Sequence, residues 1–272
     1  MELWQNMINN IIQPPEILKN YVRNFWVLEF NTGDCKKKLK LQADYYPRLT
    51  IQCNSRSHIQ AENGSYLSNI FLGGITTKPA DFFIEGAYAH VAVSFYPQAL
   101  RQIFGVKGSD LVNQYYDLSS FCPAELIARL QEAENYGQRI DLLSEFFISR
   151  TRENLIEDAV IRECIFARDH YDTWRLIDII KKHKISVRQL ERKFRESLGI
   201  SPKTFLRINR FEKSMRLMKN EMSKKLSDVA YDLGYSDHSH FTRDFKASAG
   251  FSPNKYMTTK KIIEYSGSFL EE

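Results

Sequence analysis

Residues 186–205 and 236–256 are two copies of one pattern, and this repeat constrains the chain more than any other feature. At an offset of 51, Leu190 matches Phe241, Arg192 matches Arg243, Phe194 matches Phe245 and Arg195 matches Lys246. Gly199 matches Gly250, Ser201-Pro202 matches Ser252-Pro253, and Phe205 matches Tyr256. Upstream, Ser186 and Ser236 pair at an offset of 50, so the second copy has one extra residue near its turn. Two copies of one basic helical unit suit a protein that reads two neighbouring stretches of a long, regular polyanion, and DNA is the obvious candidate.

Charge supports the same division. Residues 171–260 hold 20 Lys/Arg and 10 Asp/Glu, a balance of +10 in a chain whose total is +5, so the remainder carries −5. A basic face can also be merely solvated, but here it coincides with the repeat. At 272 residues there is room for two cored domains. No apolar run approaches a membrane span and no basic-then-apolar leader opens the chain, so a cytoplasmic protein with no membrane partner is expected. Cys35, Cys53, Cys122 and Cys164 are scattered, with no Cys-x-x-Cys pair; reduced thiols are expected rather than zinc or disulfides.

The first 120 residues or so read mainly as strands. Short β-branched and aromatic runs at 25–30, 49–53, 70–72 and 90–96 are separated by turn signals at 31–34, 63–64, 73–74 and 78–79. This pattern predicts an antiparallel barrel or sandwich. Residues 98–104 read as a short helix ended by Gly105. From Pro123 the spacing becomes helical, and Gly137 is expected to divide helices at 123–135 and 138–150. Their apolar faces either cap the barrel or form a dimer seam.

From about residue 157 the chain reads as all-helical. Ile161, Cys164 and Ile165 mark one helix; Trp174, Ile177 and Ile180 mark the next. Ser186 suits the N-cap of a third helix that ends near Gly199. Ser201-Pro202 restarts the chain, and Phe205, Ile208, Phe211, Met215 and Met218 define one face of a long helix. Residues 224–264 repeat the plan.

A helix-turn-helix needs a small residue for close packing, a tight turn, and a second helix that is apolar inside and polar outside. The second copy supplies Ala230, Gly234 and a recognition helix at 237–247. Phe241 and Phe245 face inward; His238, Ser239 and Arg243 face mainly outward, with His240 at the boundary. In the first copy Ile180 replaces the small residue and Lys184 the glycine. Leu190 and Phe194 still point inward, opposite Arg188, Glu191, Arg192 and Arg195. An Arg fork pairs bidentately with a guanine edge, worth about 1–3 kcal/mol of discrimination. Glu191 either accepts from cytosine or orients an arginine. The plainer alternative is an αα-hairpin in a bundle, which two basic copies closed by Gly-x-Ser-Pro argue against. His238 and His240, at i and i+2, diverge on a helix and make no metal pair.

These motifs resemble those of the AraC/XylS family of bacterial transcription regulators. Ser186-Val-Arg-Gln-Leu-Glu-Arg-Lys-Phe194 with Gly199-Ile-Ser-Pro202 is similar to the family's first motif. Asp228-Val-Ala-Tyr-Asp-Leu-Gly-Tyr-Ser-Asp-His-Ser-His-Phe-Thr-Arg-Asp-Phe-Lys246 with Gly250-Phe-Ser-Pro253 is similar to its second. The resemblance covers roughly 155–262. It implies two helix-turn-helix units joined by the helix at 202–219, entering adjacent major grooves. That stretch spans about 27 Å as a helix, of the order of the ~34 Å between half-sites. By position it implies base contacts through Arg188, Glu191 and Arg192 in the first unit and through His238, Ser239, His240 and Arg243 in the second. The expected DNA-binding set adds Gln189, Arg195 and Lys246 beside them on the same two helices.

Residues 44–51, 71–76 and 90–105 resemble the barrel-like sensor domains of some such regulators, which implies a cupin-like barrel that binds an effector, mediates dimerisation, or both. Trp26, Tyr45, Tyr46, Phe82, Phe83 and Tyr88 line a pocket or form core; Arg48 anchors an anionic ligand or makes a structural ion pair. The expected effector-binding set is Trp26, Tyr46, Arg48 and Phe83. His58 and His90 lack ligand spacing, so no metal or cofactor is expected.

The expected fold is α+β. It has a cupin-like antiparallel β-barrel domain with a helical connector at about 123–150 (1–154), an all-α tandem helix-turn-helix domain (155–262), and a tail (263–272). The expected function is sequence-specific transcription regulation, as an activator or a repressor, with effector control implied by the resemblance. Expected partners are double-stranded DNA, RNA polymerase, a small-molecule effector and a second copy of the chain. The rivals are a constitutive regulator whose first domain only dimerises, and a cupin-type small-molecule enzyme. No nucleophile–base pair, phosphate loop or metal cluster in the sequence supports the enzyme.

Overall fold

The computed structural model describes residues 7–31, 36–53, 58–151, 158–170, 175–220, 225–258, 262–263 and 269–271. Cys35, Trp174 and the expected 154/155 domain boundary lie outside the described residues.

The first domain is built of antiparallel strands β1 (Ile8–Ile12), β2 (Val22–Asn31), β3 (Lys37–Leu41), β4 (Arg48–Gln52), β5 (Gln60–Ala61), β6 (Ile70–Gly73), β7 (Ala80–Ile84) and β8 (Ala87–Phe95). Helices α1 (Ala99–Phe104) and α2 (Gly108–Leu111) precede β9 (Tyr115–Asp117). One sheet runs β1-β2-β8-β4-β6-β9, and the second contains β3-β7-β5. Because side chains alternate along a strand, β2 serves two cores. Trp26, Leu28 and Phe30 point between the sheets with Leu41, Phe82 and Ile84. Phe25 and Val27 point to the other face.

That other face is covered by the connector helices α3 (Ala124–Glu132) and α4 (Tyr136–Thr151). Leu126, Leu130, Ile140, Leu143 and Phe147 pack there with α1 and the outer face of the first sheet. The apolar faces of the connector therefore cap the barrel. Phe147 stacks edge-on against Phe95 at 5.2 Å, and both are fully buried; each such side chain is worth about 1.5–3 kcal/mol of burial. The break between α3 and α4 is not at Gly137, which lies in the first turn of α4. Asn135 makes it, its side chain accepting from Gln138 N–H at 3.0 Å as a cap does.

The second domain holds α5 (Ala159–His170), α6 (Leu176–His183), α7 (Val187–Leu198), α8 (Pro202–Asn220), α9 (Leu226–Asp232), α10 (His238–Ala249) and α11 (Pro253–Thr258). On α6 the buried residue is Ile179, whereas Ile177 is 43% exposed. The inward stripe is thus one position away from the expected 177/180 pair, with Ile180 only partly buried at its edge. No described helix is long and apolar enough to cross a membrane. Cys53, Cys122 and Cys164 are free thiols, the last fully buried.

The tail returns to the first domain. After β10 (Ile262–Ile263), strand β11 (Phe269–Glu271) pairs antiparallel with β3, Leu270 opposite Lys40. The edge of the second sheet is therefore occupied by the C-terminus. The two domains also share a core: Tyr45, Tyr46 and Ile75 of the barrel are buried among Ile161, Ile165, Leu190, Phe194 and Phe205.

Candidate nucleic-acid interface

The repeat in sequence is a repeat in space. In the first unit Ile179 is buried on α6, and Leu190, Phe194 and Leu198 are buried on α7. In the second, Val229 and Ala230 on α9 meet Phe241, Phe245 and Ala249 on α10. Helix α8 belongs to both. Its Phe205 and Ile208 enter the first core, while Phe211, Met215 and Met218 enter the second. Phe194 meets Phe205 at 5.2 Å and Phe245 meets Tyr256 at 6.1 Å, the same pair one repeat apart. At 1.5 Å per residue the 19 residues of α8 make a spacer of about 28 Å between the units.

Both turns use a left-handed residue. Lys184 has φ 51° and ψ 41°, and its counterpart Gly234 has φ 71°. Only Ile185 separates Lys184 from the cap Ser186, whereas Tyr235 and Ser236 separate Gly234 from the cap Asp237; this is the extra residue of the second copy. Ser186 Oγ accepts from Gln189 N–H at 3.2 Å, and Gln189 Oε1 accepts from Ser186 N–H at 2.7 Å, a reciprocal capping box. Asp237 accepts from His240 N–H at 2.7 Å, and that bond holds its carboxyl below the usual carboxylate range. Gly199 and Gly250 close the recognition helices in the left-handed region. Each also docks on the first domain: a Cβ at 199 would lie 2.4 Å from Ser109 Cα, and one at 250 would lie 3.2 Å from the Pro79 ring.

Of the residues expected at DNA, Arg188, Glu191, Arg192 and Arg195 are exposed along one arc of α7. On α10, His238, Ser239, Arg243 and Lys246 are exposed likewise. Two of the set are differently employed. Gln189 turns its carbonyl oxygen back to the helix start, because the capping box satisfies an otherwise orphan N–H. His240 sits edge-on to Tyr235 at 5.2 Å, with Nε2 3.9 Å from Asp244, inside a cluster completed by Arg210 over the Tyr235 ring. Sequence reasoning omitted Arg210 because it lies on α8, outside the repeated motif.

Between the two sheets lies a cavity of about 50 Å³, walled by side chains that include Trp26, Tyr46, Arg48, Phe82, His90 and Tyr115. Phe83 does not line it. Strand alternation points Phe82 and Ile84 inward and Phe83 outward, under Lys36 Nζ at 4.9 Å. Arg48 pairs with Asp44, whose other oxygen accepts from Tyr46 N–H at 3.0 Å; this is the ion-pair alternative for Arg48. His90 was not in the expected set; it is buried, with Nδ1 2.8 Å from the Tyr88 hydroxyl. Burial, aided by the Arg48 charge, pushes its pKa down to about 3. Burial also pushes the Tyr115 phenol up to about 12.

The cavity wall touches the helical domain directly. Tyr46 accepts at its hydroxyl from Arg168 at 3.2 Å. The Arg168 guanidinium lies 3.6 Å from the centre of the Tyr45 ring and pairs with Glu212 of α8. Arg207 of α8 donates to Thr77 O at 2.7 Å, and Ala43 N–H donates to Ser248 O of α10 at 2.9 Å. Among the described residues, no group of three or more His, Cys, Asp or Glu is placed to hold a metal ion.

The geometry defines a tandem helix-turn-helix domain carried on an antiparallel β domain. Comparison with known proteins agrees. Residues 179–259 match the family described as a helix-turn-helix domain, and residues 10–117 match a domain family of unknown function, DUF6597. The HTH-type transcriptional regulator MtrA of Neisseria gonorrhoeae is 31% identical over 85 residues, 31% of this chain and 28% of that protein. The HTH-type transcriptional activator RhaS of Escherichia coli is 28% identical over 108 residues, 39% of this chain and 38% of the other. RhaR of Pectobacterium carotovorum is 25% identical over 219 residues, 76% and 72% of the two chains. The matches to MtrA and RhaS thus span well under half of those proteins. A structure of ToxT from Vibrio cholerae covers 86% of this chain and 97% of its own at 17% identity, with a TM-score of 0.47. The helical domain is thus a helix-turn-helix domain of the AraC type.

Proposed function

We propose that this protein is a cytoplasmic, sequence-specific transcription regulator that places α7 and α10 in adjacent major grooves on one face of a DNA duplex. The observation that carries this is the pairing of two capped, amphipathic recognition helices on one shared spacer, α8. Each turns an exposed arc outward that holds Arg192 or its counterpart Arg243. Arg188, Glu191, Arg192, His238, Ser239 and Arg243 read base edges; Arg195 and Lys246 hold phosphates. Recruitment of RNA polymerase and pairing with a second chain belong to the same proposal. Control by an effector in the barrel is supported by the cavity, whose wall residue Tyr46 is hydrogen-bonded to the helical domain through Arg168.

The test is affinity of the purified chain for its best duplex and for random DNA at fixed salt. Arg192→Ala and Arg243→Ala each lose about 1–3 kcal/mol at the best duplex and little on random DNA, with unchanged folding. Equal loss on both duplexes would reduce these arginines to phosphate contacts and contradict the proposal.

A further inference from the structure

The barrel cavity contains more chemistry than packing requires. Arg48 Nε, His90 Nε2 and the Tyr115 hydroxyl are buried with no hydrogen-bond partner among the described residues. Folded proteins rarely leave such atoms unpaired. Strand register brings two of them together. Arg48 on β4 lies opposite Gly73 on β6, and Gly73 lies opposite Tyr115 on β9. Paired residues share a face, and glycine in the middle position leaves it bare. A Cβ at Gly73 would crowd the Tyr115 ring at 3.0 Å, so glycine gives that ring room to lie over the row. The result is a polar corner in an otherwise largely apolar chamber formed by Trp26, Phe71, Phe82 and their aliphatic neighbours.

Charge and valence narrow what fits. The Arg48 charge is already balanced by Asp44, whose side chain is 5% exposed. An anion would have to displace Asp44 or sit beside it, and a cation would sit against the guanidinium; either leaves a buried charge unbalanced. His90 and Tyr115 are both neutral across the ordinary pH range. A sugar brings four or more hydroxyls, each needing a partner, whereas the unpaired buried side-chain atoms of the lining, among the described residues, are these three. Arg48 Nε can only donate, and the Tyr115 hydroxyl can donate. The missing partner is therefore an acceptor. The volume of about 50 Å³ corresponds to about three to five water-sized groups, the scale of a single small ring.

We propose that the barrel cavity binds a small, uncharged, largely apolar molecule with a hydrogen-bond-accepting oxygen, of the cyclic ketone, lactone or ester class, held by Arg48, Tyr115 and His90. This rests on the barrel being the effector site.

The experiment is calorimetric titration of the full chain with four probes of similar size: cyclohexanone, methylcyclohexane, cyclopentanecarboxylate and ribose. Cyclohexanone should bind at least about tenfold more tightly than the other three. Tyr115→Phe keeps the ring over Gly73 and removes the donor. It should weaken cyclohexanone about three- to tenfold and leave the weak methylcyclohexane binding within about twofold, which shows the chamber intact. Tighter binding of the carboxylate or the sugar would overturn the ligand class and leave the barrel an effector site. Cyclohexanone binding that ignores Tyr115→Phe, or no binding of any probe, would overturn the proposal. Binding as expected with unchanged affinity for the best duplex would uphold the ligand class and count against effector control.

Discussion

Lys184 occupies a position where its counterpart in the second unit is Gly234, and the backbone shows what that difference costs. Both residues are left-handed, a region where a side chain is disfavoured by about 1–2 kcal/mol. The Lys184 N–H still closes α6 on Ile180 O and Lys181 O, bonds that any residue can make. Lys184→Gly therefore removes the steric cost and keeps the cap. Against this stands the extra freedom of glycine in the unfolded chain, about 0.5–1 kcal/mol. The loss of one cation near the helix C-terminus is a smaller matter, since Lys181, Lys182 and His183 remain there. The net expectation is a gain of about 0.5–1 kcal/mol, or ~1–4 °C in melting temperature. Gly234→Ala is the mirror experiment. A Cβ there meets nothing within 4 Å, so its effect isolates backbone conformation. It should lose about 1 kcal/mol. Thermal unfolding of the full chain checks both. If Lys184→Gly lowers the melting temperature, or if both variants shift it in one direction, the left-handed assignment of these turns is wrong.

Two further consequences follow from burial. His90 is depressed to about 3 in the fold against ~6.5 unfolded, so between these pH values the unfolded chain binds the extra proton. Its contribution is fully present above pH ~6.5 and falls by up to about 1.4 kcal/mol per unit as pH drops towards 3. His90→Gln should flatten that part of the acid limb in equilibrium unfolding from pH 7 to 4; an unchanged slope would contradict the buried neutral imidazole. Gly199→Ala combines positive φ with a Cβ 2.4 Å from Ser109 Cα and 2.7 Å from Val112 Cγ2. It should cost about 2–4 kcal/mol, clearly more than Gly234→Ala; an equal cost would mean that the closure of α7 does not dock on the first domain.

Much of the second domain is legible in the sequence because its rules are local. Ser186, Gly199, Gly234 and Gly250 each mark a helix end through their own side chain or its absence. The odd position of Lys184 is readable from the offset alone. The first domain is less so. Strand β3 is lysine-rich and reads as polar; Lys40 becomes buried because Asp81, 41 residues away, neutralises it at 2.5 Å. The pairing of Leu270 with Lys40 is invisible to any local pattern. Phe82 and Phe83 are adjacent aromatics, and only the strand register decides which enters the cavity. His90 looked like an isolated histidine, and its role emerges only when Tyr88, two residues back on the same face, closes on its ring. Gln189 has two uses on an exposed helix start, and the vacancy at Ser186 N–H settles which it takes.

The central claim is that both units read bases on one duplex. It is tested most directly by selecting bound sequences from a random duplex pool with the full chain at near-physiological salt. Two informative blocks about one helical turn apart are expected, since α8 fixes the spacing of the recognition helices. A single block would mean that only one unit reads sequence, and no enrichment would contradict the tandem account altogether.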